Sequence, residues 1–218
     1  MFTIEVWGDY ALFTRPEMKT ERVTYDVMTP SAARGILDSI YWHPGLTWVI
    51  DEIRVLSPIR FMNIRRNEVS EKAGGIKLLN AMNGKTQPPC IYTSEKIQQR
   101  ASIVLKDVRY VIKAHFRLSE GYEDMNPAKV TNIMTKRLKK GSCFIRPCFG
   151  TREFPVHFRA CEKIPLCPRQ MKGKRDLGYM LWDMDYSQPD NIRPLFFRAV
   201  LKDGVMKVPD RYSGEVIG

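Results

Sequence analysis

Tyr41, followed by Trp42 and His43, His115 in a run of alternating basic residues, and Lys129 near the start of a basic segment are groups able to move a proton or steady a negative charge without a metal. RNA cleavage asks for no more, because the substrate carries its own nucleophile. The 2′-hydroxyl must be aligned with the neighbouring phosphate, its proton removed, the developing charge neutralised and the leaving 5′-oxygen protonated. Other chemistries lack parts. The glycine-rich stretch Lys72-Ala-Gly-Gly-Ile-Lys77 has no GK[ST] spacing, so it does not build a nucleotide phosphate loop. Asp183 and Asp185 are the only close acidic pair in the right side-chain phase for two metal ions, and a strand end or turn explains them better. No nucleophile elbow is present for a serine hydrolase. Cys90, Cys143, Cys148, Cys161 and Cys167 form no C-x-x-C pair and read as reduced thiols. Neither a metal nor another cofactor is expected.

Charge narrows the partner. The 218 residues hold 35 Lys and Arg against 24 Asp and Glu, a formal net charge of +11. Residues 126–175 hold 13 basic and 2 acidic side chains, while the other 168 hold 22 of each, so one segment carries the whole excess. That is the footprint of a polyanion-binding surface. With 44% hydrophobic and 27% charged residues a core can form, and no stretch approaches 18 apolar residues. The N-terminus alternates like a strand and has no basic leader, so a cytoplasmic protein without membrane contact is expected.

The elements that must position these groups follow from periodicity. Phe2, Ile4 and Val6 alternate with Thr3, Glu5 and Trp7, a half-buried strand. Thr29-Pro30 opens a helix whose apolar positions are Ala33, Ile36, Leu37, Ile40 and Tyr41, and Pro44-Gly45 ends it. Arg34 lies seven residues before Tyr41, on the same helix face. A second strand is predicted over 47–57. Residues 62–101 are polar and turn-rich and predict a long excursion with at most a short hairpin or helical turn. A strand returns at 103–118, with Val108, Tyr110, Ile112, Ala114 and Phe116 on one face and Arg109, Val111, Lys113, His115 and Arg117 on the other, which predicts a basic sheet face. Asn126-Pro127 opens another helix, with Val130, Ile133, Met134 and Leu138 as its buried stripe and Gly141 as its stop. Lys129, Lys136 and Lys140 share another of its faces, and Arg137 and Lys139 add charge at the same end. A glycine turn at Gly150 leads into Arg152, and antiparallel strands are predicted at 177–184, 195–201 and 205–208, the last two joined by Lys202-Asp203-Gly204.

The order β-α-β, excursion, β-α-β predicts an α+β protein: a ferredoxin-like antiparallel sheet with helices on one face over 1–148, then a small C-terminal β lobe over 149–218. Four stretches carry a resemblance beyond that. Gly8-Asp-Tyr-Ala-Leu-Phe-Thr14, Ile40-Tyr-Trp-His-Pro44, Leu105-Lys-Asp-Val-Arg-Tyr-Val-Ile-Lys-Ala-His-Phe116 and Gly150-Thr-Arg-Glu-Phe154 together resemble the CRISPR-associated Cas five family, subtype d, of the type I-C system. The resemblance implies a metal-independent endoribonuclease that binds the CRISPR repeat hairpin, cuts precursor RNA at the 3′ base of the stem, and remains on the 5′ handle with the other subunits of the interference complex. It also implies a tyrosine at Tyr41 and a Lys-His pair opening the second helix. The lysine falls on Lys129. Val130 stands where the histidine would.

Three readings follow from that departure: His43 takes over the titrating role, His115 contributes to it, or the chain binds repeat RNA without cutting it. Tyrosine, with an ordinary pKa of about 10, is a poor base at neutral pH. Tyr41 is therefore assigned to orient or relay the proton of the 2′-hydroxyl, Lys129 to steady the phosphate and His43 to titrate. Lys136, Arg137, Lys139 and Lys140 are expected to follow the RNA backbone. Arg109, Lys113 and His115 are expected on the unpaired flank, Arg34 beside Tyr41, and Arg152 at the glycine turn. The alternatives are a non-catalytic repeat-RNA-binding subunit, and a basic DNA-binding or scaffold protein, weak DNA binding being compatible with either.

Overall fold

In the computed structural model, which describes every residue except 19, 73, 123, 124 and 189, the period-two pattern at the N-terminus becomes strand β1 (Phe2–Ala11). Ile4 and Val6 are fully buried beneath it. A two-residue strand β2 (Arg22–Val23) precedes helix α1 (Pro30–Ile40), and β3 (Leu46–Val55) follows. The α1 signals act as their chemistry requires: the Thr29 hydroxyl accepts from the Ala32 N–H at 3.2 Å, and Ala33, Ile36, Leu37 and Ile40 are buried. Helix α3 (Pro127–Lys140) repeats this logic after β4 (Phe61–Val69), α2 (Gly75–Met82) and β5 (Ile97–Leu118). Asn126 Oδ1 accepts from the Lys129 N–H at 2.8 Å, and Gly141, at φ 64°, closes the helix with its N–H on the Arg137 carbonyl. Val130, Met134 and Leu138 form the buried stripe.

The short β6 (His157–Ala160) completes the ferredoxin-like arrangement. The order β3-β5-β1-β6 is antiparallel throughout, with Ile4 opposite Ile112, Trp48 opposite Phe116 and Val6 opposite Phe158. Strands β7 (Lys174–Asp185), β8 (Arg193–Lys202), β9 (Val205–Lys207) and β10 (Val216–Ile217) form the C-terminal antiparallel group. Asp203 and Gly204, at φ 50° and 74°, make the two-residue hairpin turn, and β9 pairs with β3, so these strands extend the same sheet. No described helix is long and apolar enough to cross a membrane.

Two expectations need revision. The segment 62–101 is more ordered than its composition suggests: β4 pairs with the first part of β5 from Phe61 opposite Leu105 to Val69 opposite Ile97, and α2 sits near the tip. Neither element buries a face as a core strand does, and α2 has no buried residue, so the amphipathic periodicity that marks core elements is missing. The predicted basic sheet face is a face of mixed charge. Glu5 receives hydrogen bonds from Arg109 and Arg159, Glu52 from Arg54 and Lys113, and Asp51 pairs with His115 at 2.9 Å. Asp51 reaches His115 because a β-bulge between Ile50 and Glu52 shifts it out of register.

Glu5 offers a stability test. Its side chain is 3% exposed. Burial pushes its carboxyl up, but the hydrogen bonds from Arg159 and Arg109 outweigh that and hold it below the ordinary 4.5. A lowered carboxylate contributes stability above its unfolded pKa and loses it as pH falls through the folded value. Glu5→Gln is expected to cost about 1–3 kcal/mol at pH 7. The gap to the wild type should shrink as pH falls below about 4, read from urea midpoints at each pH.

Candidate nucleic-acid interface

Tyr41 caps α1, and contacts to its backbone and its ring fix it. Its N–H donates to the Leu37 carbonyl at 2.8 Å, and its carbonyl accepts from Trp48 Nε1 at 2.9 Å. The Arg137 guanidinium lies over its ring at 4.9 Å and donates to the Ile40 carbonyl. A cation on the last carbonyls of a helix is favourable with the helix dipole, and on an aromatic face it adds cation–π attraction. Arg137 is therefore a positioning residue for Tyr41 as well as part of the basic end of α3. The sequence held no sign of this, because it depends on how α1 and α3 pack.

The Tyr41 hydroxyl donates to the Met125 sulfur at 3.7 Å. Met125 lies four residues before Lys129, so the tyrosine hydroxyl sits at the entry to α3. The residue is 5% exposed. Lys129 is exposed in the first turn of α3. His43 is half-buried two residues after Tyr41, and its Nδ1 lies 2.8 Å from the Pro44 carbonyl. A carbonyl oxygen only accepts, so Nδ1 is the donor in that contact. Val130, immediately after Lys129, is fully buried in the apolar stripe and offers no group for proton transfer.

The predicted binding residues divide into two sets. Lys136, Lys139 and Lys140 are exposed along α3, and among the described residues they form no ion pair. The same holds for Arg146, which sequence reading passed over, and for Arg152. Arg152 does not pair with its neighbour, since Glu153 is engaged by Arg66 of β4. The second set is neutralised: Arg34 by a bidentate bond to Asp183 (2.6 and 2.8 Å) and by Asp38 (3.1 Å), and Arg109, Lys113 and His115 by the sheet-face carboxylates. Burial, with Asp183 close by, pushes the Asp38 carboxyl up against the opposing pull of Arg34. Among the described residues no three His, Cys, Asp or Glu side chains converge as metal ligands.

The turn that presents Arg152 is locked beneath β1. The Phe149 carbonyl accepts from the Leu12 N–H at 3.0 Å, and the Phe149 N–H donates to the Phe154 carbonyl at 2.8 Å. Gly150 has φ 84°, and a Cβ there would lie 1.9 Å from the Leu12 carbonyl oxygen. Gly150→Ala is expected to destabilise the fold by at least about 3 kcal/mol, strain and backbone clash acting together, as a denaturant midpoint would report.

The sequence profile of the CRISPR-associated Cas5 proteins, subtype Cas5d, matches residues 1–209. The chain belongs to the Cas5d family. It is 49% identical over 220 residues to the CRISPR pre-crRNA endoribonuclease Cas5d of Mannheimia succiniciproducens, covering 98% of this chain and 96% of that protein. It is 36% identical over 224 residues to the protein of the same description from Thermus thermophilus, covering 94% and 90%. A crystal structure of a CRISPR-associated protein superposes with a TM-score of 0.70 at 25% identity, covering all of this chain and 96% of the other. The Cas5d fold accounts for the ferredoxin-like core together with the C-terminal strands.

Proposed function

We propose that this Cas5d protein binds the hairpin of the CRISPR repeat transcript and cuts it at the 3′ base of the stem. It then holds the 5′ handle among the other subunits of the type I-C interference complex. The observation that carries this reading is the contact of the Tyr41 hydroxyl with Met125, at the entry to the helix that bears Lys129 and the unneutralised lysines. Similarity to two proteins described as pre-crRNA endoribonucleases supports it.

In this mechanism Tyr41 orients the 2′-hydroxyl, His43 Nε2 takes its proton, and the 2′-oxygen attacks the adjacent phosphorus. Lys129 steadies the charge on the phosphate oxygens. The P–O5′ bond breaks, the 5′-oxygen takes a proton from solvent water, and the upstream product carries a 2′,3′-cyclic phosphate. Lys136, Lys139, Lys140 and Arg152 follow the backbone, with Arg137 between that surface and Tyr41. Arg34, Arg109, Lys113 and His115 lie at the margin, because each would have to exchange a carboxylate for RNA. Nothing in these steps uses a metal, so the purified chain with its repeat RNA in excess EDTA is expected to release a 5′-hydroxyl fragment and a 2′,3′-cyclic phosphate fragment. RNA that is cut only when a divalent ion is restored would overturn this mechanism.

One observation favours a second reading, a non-catalytic RNA-binding subunit: Val130 is buried at the position where the family resemblance implies a histidine. Repeat RNA that is bound tightly yet intact after hours would decide for it.

A further inference from the structure

A cleft of about 400 Å³ between α1, β3, β7 and the segment after β9 has no part in the steps above. Aromatic residues line it: Trp48, fully buried in its wall, Trp182, and the exposed Tyr186 and Tyr212. Both indole N–H groups are already engaged by backbone, Trp48 on the Tyr41 carbonyl at 2.9 Å and Trp182 on the Pro209 carbonyl at 3.0 Å. What the half-buried Trp182 indole offers the cleft is therefore carbon. Tyr186 and Tyr212 are 61% and 80% exposed, two large rings left open to solvent.

The cations at the rim are arginines, each already neutralised, and Thr47 and Ser187 are neutral polar neighbours. Arg34 is held by Asp183, Arg117 by Asp210 at 2.7 Å and Arg211 by Asp185 at 2.7 Å, with the Arg211 guanidinium 5.8 Å from the centre of the Tyr212 ring. A phosphate entering here would compete with carboxylates. A neutral flat ring would leave the ion pairs intact, gain the aromatic faces, and meet hydrogen-bonding groups along its edge. The volume lies within the range of roughly 300–1,000 Å³ typical of small-ligand sites.

We infer that this cleft binds one unpaired nucleobase of the RNA, an inference that rests on the RNA-binding reading above. Trp48 ties the cleft wall to Tyr41, since this buried residue belongs to the lining and its N–H holds the Tyr41 carbonyl. Arg34 and Tyr41, seven residues apart on one helix, are separated by about 10 Å along its axis. A base seated here would fix the strand within a few nucleotides of the Tyr41 hydroxyl.

The test uses the full chain and a set of repeat RNAs, each with one abasic nucleotide in the unpaired flanks, with equilibrium binding as the readout. Tyr186→Ala combined with Tyr212→Ala removes the two exposed rings. Thr47→Trp, at an exposed strand position lining the cleft, fills it by a separate route. One abasic position should weaken wild-type binding roughly 5- to 100-fold, the range of one lost base–aromatic stack. Both variants should lose a similar factor on intact RNA and nothing further on that abasic RNA. If the losses multiply at every position, or the variants bind intact RNA like the wild type, the base site is overturned and the RNA reading stands. The latter result would leave the cleft to a protein partner. If the wild type does not bind intact repeat RNA, the RNA reading fails and this inference fails with it.

Discussion

Tyr41→Phe is expected to slow repeat-RNA cleavage by about two to four powers of ten while leaving RNA affinity within about threefold. The separation follows from what holds the residue. The bond from Trp48 uses the backbone carbonyl, the bond to Leu37 uses the backbone N–H, and Arg137 lies over the ring, so phenylalanine keeps all three. What it removes is the hydroxyl, whose contacts include the Met125 sulfur. Lys129→Ala should produce a comparable loss, since its charge acts on the phosphate as negative charge develops. His43→Ala separates the remaining readings: if His43 is the base, single-turnover cleavage falls steeply and the acidic limb of the pH–rate profile disappears. Unchanged cleavage in both Tyr41→Phe and Lys129→Ala would remove the site assignment, whatever the binding data show.

What could be read from the sequence was whatever local chemistry decides. Thr29-Pro30, Asn126-Pro127 and Gly141 set helix ends through their own side chains or dihedrals, and Asp203-Gly204 sets a hairpin by its tolerance of positive φ. Tyr41 was recognisable as the end of a helix for the same reason. Its hold by Arg137, 96 residues away, was not, because helix–helix packing leaves no spacing signature. The neutralised sheet face failed to show for a related reason. Lys113 stands directly opposite Glu52 only once β3 and β5 are in register, and Asp51 meets His115 only through a bulge. The β4–β5 ribbon lacked the usual signal because core periodicity appears only where one face is buried.

That difference between the two sets of basic residues predicts a difference in salt dependence, which separates RNA-facing charge from structural charge. Lys136, Lys139 and Lys140 form no ion pair among the described residues, so each phosphate they neutralise releases counterions without losing an internal partner. Replacing all three by alanine should weaken binding to repeat RNA by about 10²-fold at 0.15 M salt and reduce the slope of log affinity against log salt by about 2–3. The loss should be nearly the same for unrelated hairpins, since backbone contacts carry no sequence information. Lys113→Ala, which leaves Glu52 with Arg54, should leave that slope unchanged. If instead Lys113→Ala lowers the slope by about one and the α3 substitutions do not, the RNA lies across the sheet. The path from the stem to Tyr41 must then be drawn on the opposite face of the molecule.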